Sequence, residues 1–128
     1  MSAIEAMLAS ARVGLERVRV EDLDAALASG ALVVDIRPDR DRDAEGSIPG
    51  AVVLERNVLE WRLDPTSADA IPEADTSRWV IIVCNEGYAS SLAANALREL
   101  GLQRASDLDG GYRAWRSYKE AEDEAGSR

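Results

Sequence analysis

The stretch Trp79-Val80-Ile81-Ile82-Val83-Cys84-Asn85-Glu86-Gly87-Tyr88-Ala89-Ser90-Ser91 changes character at a single residue. Up to Val83 it is an unbroken apolar, β-branched run, which suits a strand buried on both faces, as in a parallel sheet. From Asn85 it is polar and contains a glycine, so it reads as a short loop. Ser90 or Ser91 is placed to cap a helix reaching Leu100, with Leu92, Ala93, Ala96, Leu97 and Leu100 on one face. Gly101 supplies the left-handed stop.

Outward from this unit the same alternation recurs. Ala31 to Ile36 is a second apolar run, interrupted only by Asp35. Shorter strands are predicted at Leu15–Val20, Ala51–Leu54 and Ala105–Leu108, with helices opening at Glu21–Asp22, across 55–63 and near Tyr112. Arg37 to Glu45 alternates charges and reads as a solvated loop or short exposed helix. Strands alternating with helices mean an α/β fold around a mainly parallel sheet. The chain divides into an N-terminal helical extension (1–14), one domain (15–118) and an acidic, fraying tail (119–128).

Composition narrows the chemistry. The chain has 128 residues, enough for one domain, and a net charge of −9, which disfavours nucleic-acid and polybasic membrane contacts. The absence of histidine removes Ser-His-Asp and Cys-His pairs, and the single cysteine removes internal disulfides. No metal site is expected. The opening Met1–Ala6 lacks the pattern of a secretory signal, so the expected location is cytoplasmic.

Cys84 stands at the carboxyl end of the strongest strand, where open α/β sheets place their ligands. Inward-facing amides of Asn85, Glu86, Gly87, Tyr88, Ala89 and Ser90, with the start of the following helix, would hold a thiolate without an imidazole. Inert packing of a lone cysteine fits the spacing about equally.

The order Val33-Val34-Asp35-Ile36-Arg37, Gly46-Ser47-Ile48-Pro49-Gly50-Ala51, Val80 to Ser91, and Leu108-Asp109-Gly110-Gly111-Tyr112-Arg113-Ala114-Trp115 resembles a single-domain rhodanese. The resemblance implies a five-stranded parallel sheet with helices on both faces. It also implies a sulfurtransferase that takes a sulfane sulfur from thiosulfate or a persulfide onto Cys84. A thiol or cyanide-like acceptor, a small molecule or a protein, then removes it, and no cofactor takes part. The rival reading is a non-catalytic rhodanese-like module that binds a partner or senses redox state.

The loop Cys84–Ala89 is six residues long and carries no arginine. The related cell-division phosphatases use a loop one residue longer that ends in arginine, so phosphatase chemistry is disfavoured. Many thiosulfate-using members carry a basic residue in this loop, where Glu86 here repels a dianion. Ser47 replaces a histidine usual in the family, at a position read as structural. Asp35 and Arg37 are read as supports of the loop, and Arg56 and Arg62 as candidate anion contacts. Arg40 and Arg42 are read as solvated rather than turned toward the pocket, and Trp115 as core. Ser90 fits a hydrogen bond to sulfur or a helix cap, and Tyr88 either lines the entrance or covers the loop.

Overall fold

The run after Trp79 forms β3 (Val80–Val83), with all four residues buried, in a computed structural model that describes residues 1–126. It pairs in parallel with β1 (Leu32–Asp35) on one side, in the register Leu32–Val80 to Asp35–Val83. On the other side it pairs in parallel with β4 (Ala105–Asp107). The strand β2 (Val52–Val53) completes the order β2-β1-β3-β4.

Among the described residues the sheet therefore has four strands, not the expected five. The predicted strand Leu15–Val20 contracts to one parallel bridge between Val18 and Leu108. Its hydrogen bonds are Val18 N–H to the Asp107 carbonyl and Asp109 N–H to the Val18 carbonyl. Two residues later the chain turns into a 3-10 segment, Val20–Asp22, whose acids favour a helical start over extension of the edge.

Because strand side chains alternate, each face of the sheet has its own core. Leu32, Val34, Val80 and Ile82 pack with Leu59 and Leu63 of α4 (Leu59–Leu63) and with Ala93, Ala94 and Leu97 of α5 (Ala89–Glu99). Val33, Ile81 and Val83 pack with Leu23 and Ala26 of α2 (Leu23–Ala28) and with Tyr112 and Trp115 of α6 (Gly111–Gly126). The remaining helices are α1 (Ala3–Arg12), which lies on α5, and α3 (Asp39–Glu45), which takes up the charged segment after Arg37.

Local differences have simple causes. The buried stripe of α5 is Ser90, Ser91, Ala93, Ala94 and Leu97, while Leu100 lies past the helix end and is exposed. Leu102 takes its place in the core after the turn at Gly101. Trp61 points outward because Leu59 and Leu63 occupy the inner face of α4. The acidic segment remains helical through Gly126, with Lys119 tied to Asp24 and Glu122; residues 127 and 128 lie outside the described residues. No helix among the described residues is long and apolar enough to cross a membrane.

Candidate active site

β3 delivers Cys84 to the carboxyl edge of the sheet, and the loop 85–88 folds back over its sulfur. Two backbone amides face Cys84 Sγ: Gly87 N–H donates at 3.1 Å and Ser90 N–H at 3.4 Å. The second belongs to the first turn of α5, where amides have no partners within the helix and the dipole is positive. Cys84 is 8% exposed, so the sulfur is sheltered but still borders a cleft of about 440 Å³. Ile36, Arg37, Pro38, Arg56 and Tyr88 share the lining of that cleft with Cys84 and the loop.

The loop is held from behind by the Gly110-Gly111 turn. Tyr112 N–H donates to the Cys84 carbonyl at 2.8 Å, and Arg113 N–H to the Asn85 carbonyl at 3.1 Å. Gly111 has φ +67°, and a β-carbon there would stand 2.7 Å from the Cys84 and Asn85 carbonyl oxygens. Gly87 has φ +86°, and its β-carbon would stand 2.8 Å from the Gly110 nitrogen. The two turns pack backbone against backbone, and only glycine leaves room for this.

Asp35 and Arg37 form a buried pair beside the loop. Arg37 Nε and Nη2 donate to the Asp35 carboxylate at 3.1 and 2.8 Å, and Arg37 N–H donates to Oδ1 at 2.9 Å. The guanidinium also donates to the Gly46 carbonyl and lies 3.9 Å from the centre of the Tyr112 ring. The carboxylate thus bonds to its neighbour rather than to loop amides. Ser90 Oγ reaches neither the sulfur nor a helix-capping amide; it donates to Asp107 Oδ2 at 2.7 Å. The predicted serine cap is therefore replaced by a start at Ala89, with no side-chain cap.

The candidate anion contacts separate. Arg56 lines the cleft, paired at 2.8 Å with Glu60. Arg62 does not: it donates to the Asp69 carbonyl and borders another hollow with Val58 and Trp61. Arg42 turns back on Asp39 and the Arg37 carbonyl, and Arg40 is exposed. Tyr88 is exposed at the cleft's rim. Glu86 is not an isolated charge, since Arg113 Nη1 donates to it at 2.7 Å. Arg113 also forks onto Glu45, and that hydrogen bond holds the Glu45 carboxyl below its usual range.

Asp107 is not marked as a site residue by its local sequence. It is fully buried on β4, and its carboxylate accepts from Ser90, Ser91 and Arg17. An acid inside a short buried strand was the available signal. Its partners lie far away in the chain, so only folding brings them together. Clefts of similar volume, about 390 and 470 Å³, lie near Trp79 and Arg104 at the other end of the strands, away from Cys84.

Residues 19–118 match the Rhodanese-like domain. The chain belongs to the rhodanese-like domain family. The GlpE thiosulfate sulfurtransferases of Pseudomonas entomophila and Pseudomonas fluorescens are 36% and 37% identical to this rhodanese-like chain. The matches cover 80% and 88% of this chain and 85% and 94% of those proteins. Human single-domain sulfurtransferase TSTD1 superposes with a TM-score of 0.63 at 28% identity, over 79% of this chain and 95% of that one. A Rhodopseudomonas palustris protein of unknown function, described as a possible tyrosine phosphatase, gives 0.83 at 33% identity over 93% and 92%.

Proposed function

We propose that this rhodanese-like protein is a sulfurtransferase in which Cys84 carries the sulfur. The observation that supports this reading is the pair of backbone amides, from Gly87 and Ser90, directed at one sulfur at the mouth of a cleft. In a chain without histidine, such amides and a helix start are the means available to favour the nucleophilic thiolate. With thiosulfate as donor, the Cys84 thiolate attacks the outer sulfur and the S–S bond to the sulfonate breaks. The bonding pair leaves with sulfite, and Cys84 keeps a persulfide anion. An acceptor such as cyanide then attacks the terminal sulfur, thiocyanate leaves, and the thiolate returns. The amides act on anionic sulfur as an oxyanion hole acts on oxygen.

Asp35 and Arg37 serve this site as supports, and Arg56 is the cation best placed to meet an anionic donor in the cleft. A lone nucleophilic thiol suits a reducing compartment, consistent with a cytoplasmic setting. The loop geometry does not favour phosphoryl transfer, because the six residues Cys84–Ala89 include no arginine to hold a phosphate.

The test is turnover: thiosulfate and cyanide should give thiocyanate with wild type and none with Cys84→Ser. Equal turnover by the two proteins would overturn the proposal. The Glu86–Arg113 pair also revises the expected repulsion of thiosulfate. Because the charge is half-exposed and paired, Glu86→Gln should lower KM for thiosulfate by only about two- to threefold, and less at high salt. A tenfold or larger change would mean that Glu86 acts on the donor directly.

A further inference from the structure

The Gly87 residue that directs its N–H at the sulfur has its carbonyl held by two guanidinium groups from outside the loop. Arg12 Nη2 and Arg17 Nη2 each donate to Gly87 O at 2.8 Å. Both arginines precede residue 19, where the match to the family begins. Arg12 ends α1 and also donates from Nε to Ser91 Oγ at 3.0 Å, which ties it to the first turn of α5. Arg17 reaches the same carbonyl from the segment entering the Val18 bridge, and bonds to Asp107 beneath α5.

We propose that Arg12 and Arg17 are positioning residues for Cys84: they fix the Gly87 peptide so that its N–H stays on the sulfur, and they supply the positive charge that the loop lacks. This rests on Cys84 being the reactive thiol, and it gives the N-terminal segment a part in the site rather than that of a loose extension.

The two cations are not equivalent. Arg17 is balanced by Asp107 and Asp109. Burial disfavours its charge, yet the hydrogen bond and charge of Asp107, then the charges of Asp109 and the Cys84 sulfur, hold it above the ordinary arginine value. Arg12 hydrogen-bonds to Ser91 and Gly87 and, among the described residues, to no carboxylate. Its charge is therefore the less compensated one at the loop. A guanidinium donating to a carbonyl is a charge-assisted bond, stronger than a neutral one, and two on one oxygen leave that peptide little freedom to rotate.

The experiment uses the full chain and needs no sulfur donor, so its outcome is independent of whether a persulfide forms. Alkylation of Cys84 by iodoacetamide and the ultraviolet absorbance of its thiolate are measured at one pH in wild type, Arg12→Gln, Arg12→Lys, Arg17→Lys and Arg19→Gln. Arg19 is exposed, pairs with Glu21, and controls for loss of one charge from the same segment. Arg12→Gln should slow alkylation about fivefold or more and reduce the thiolate absorbance, while lowering the melting temperature by only a few degrees. Arg12→Lys, which keeps the charge and one donor, should recover most of the rate, and Arg19→Gln should match wild type. Arg17→Lys should also slow alkylation, because lysine cannot fork between Gly87 and Asp107. Wild-type alkylation in Arg12→Gln, or equal slowing in Arg19→Gln, would overturn the proposal. Absence of thiocyanate formation by wild type, with alkylation slowed in the arginine variants as expected, would instead count against the sulfurtransferase reading alone.

Discussion

Gly87→Ala should cost roughly two to three orders of magnitude in sulfur transfer, the scale of removing one donor from an anion-stabilising pair. The substitution acts twice at one residue. At φ +86° an alanine is strained, and its β-carbon would press on the Gly110 nitrogen at 2.8 Å and the Arg17 guanidinium at 3.2 Å. The arginine end can move, whereas the Gly110 backbone is fixed by the turn that supports Cys84 and Asn85. Relief comes by swinging the Gly87 peptide, and that takes its N–H off the sulfur. The stability loss should be about 2–4 kcal/mol, so a folded variant remains for assay. The thiol stays in place, and alkylation should slow in parallel with transfer. Transfer within threefold of wild type would remove the Gly87 amide from the reaction.

The second large effect concerns stability. Arg37→Met should destabilise the fold by about 3–5 kcal/mol, because it leaves the Asp35 charge buried without its partner. Both side chains are essentially inaccessible, at 0% and 1% exposure, so water cannot replace the lost bonds. The Gly46 carbonyl loses its donor at the same time, and the Tyr112 ring loses the cation over its face. Arg37→Lys should recover less than half of the loss, since an ammonium cannot make the two-pronged contact and reach Gly46 as well. Asp35→Asn combined with Arg37→Met should be less harmful than the sum of the two single changes, because no unpaired charge remains. Thermal melting measures this, with an expected drop of roughly 12–20 °C for Arg37→Met. A drop below about 3 °C would mean that water reaches the pair.

The parts of the molecule legible in the sequence were those encoded locally. The run Val80–Val83, the glycine after α5 and the start of α6 after Gly110-Gly111 could be read because periodicity and turn chemistry act within a few residues. The edge strand at Leu15–Val20 could not, since its extent depends on a competing acidic turn at Val20–Asp22 and on Leu108 across the fold. The site divides in the same way. Cys84 and its loop stood out as a strand-to-helix junction. Asp107, Arg12 and Arg17 did not, because their hydrogen bonds to residues 84–91 span 16 to 79 positions of chain. Ser90 was legible in part: its amide faces the sulfur as the loop predicts, while its hydroxyl turns to Asp107 rather than to sulfur or a helix cap.

The persulfide itself is the quantity to weigh. Intact-protein mass should rise by one sulfur atom when wild type is incubated with thiosulfate or a cysteine persulfide, and return to its starting value when cyanide or a thiol is added. Cys84→Ser should gain nothing under the same conditions. Sulfur added to Cys84→Ser as readily as to wild type, or a wild-type adduct that no acceptor can remove, would contradict a transferable sulfur held on Cys84.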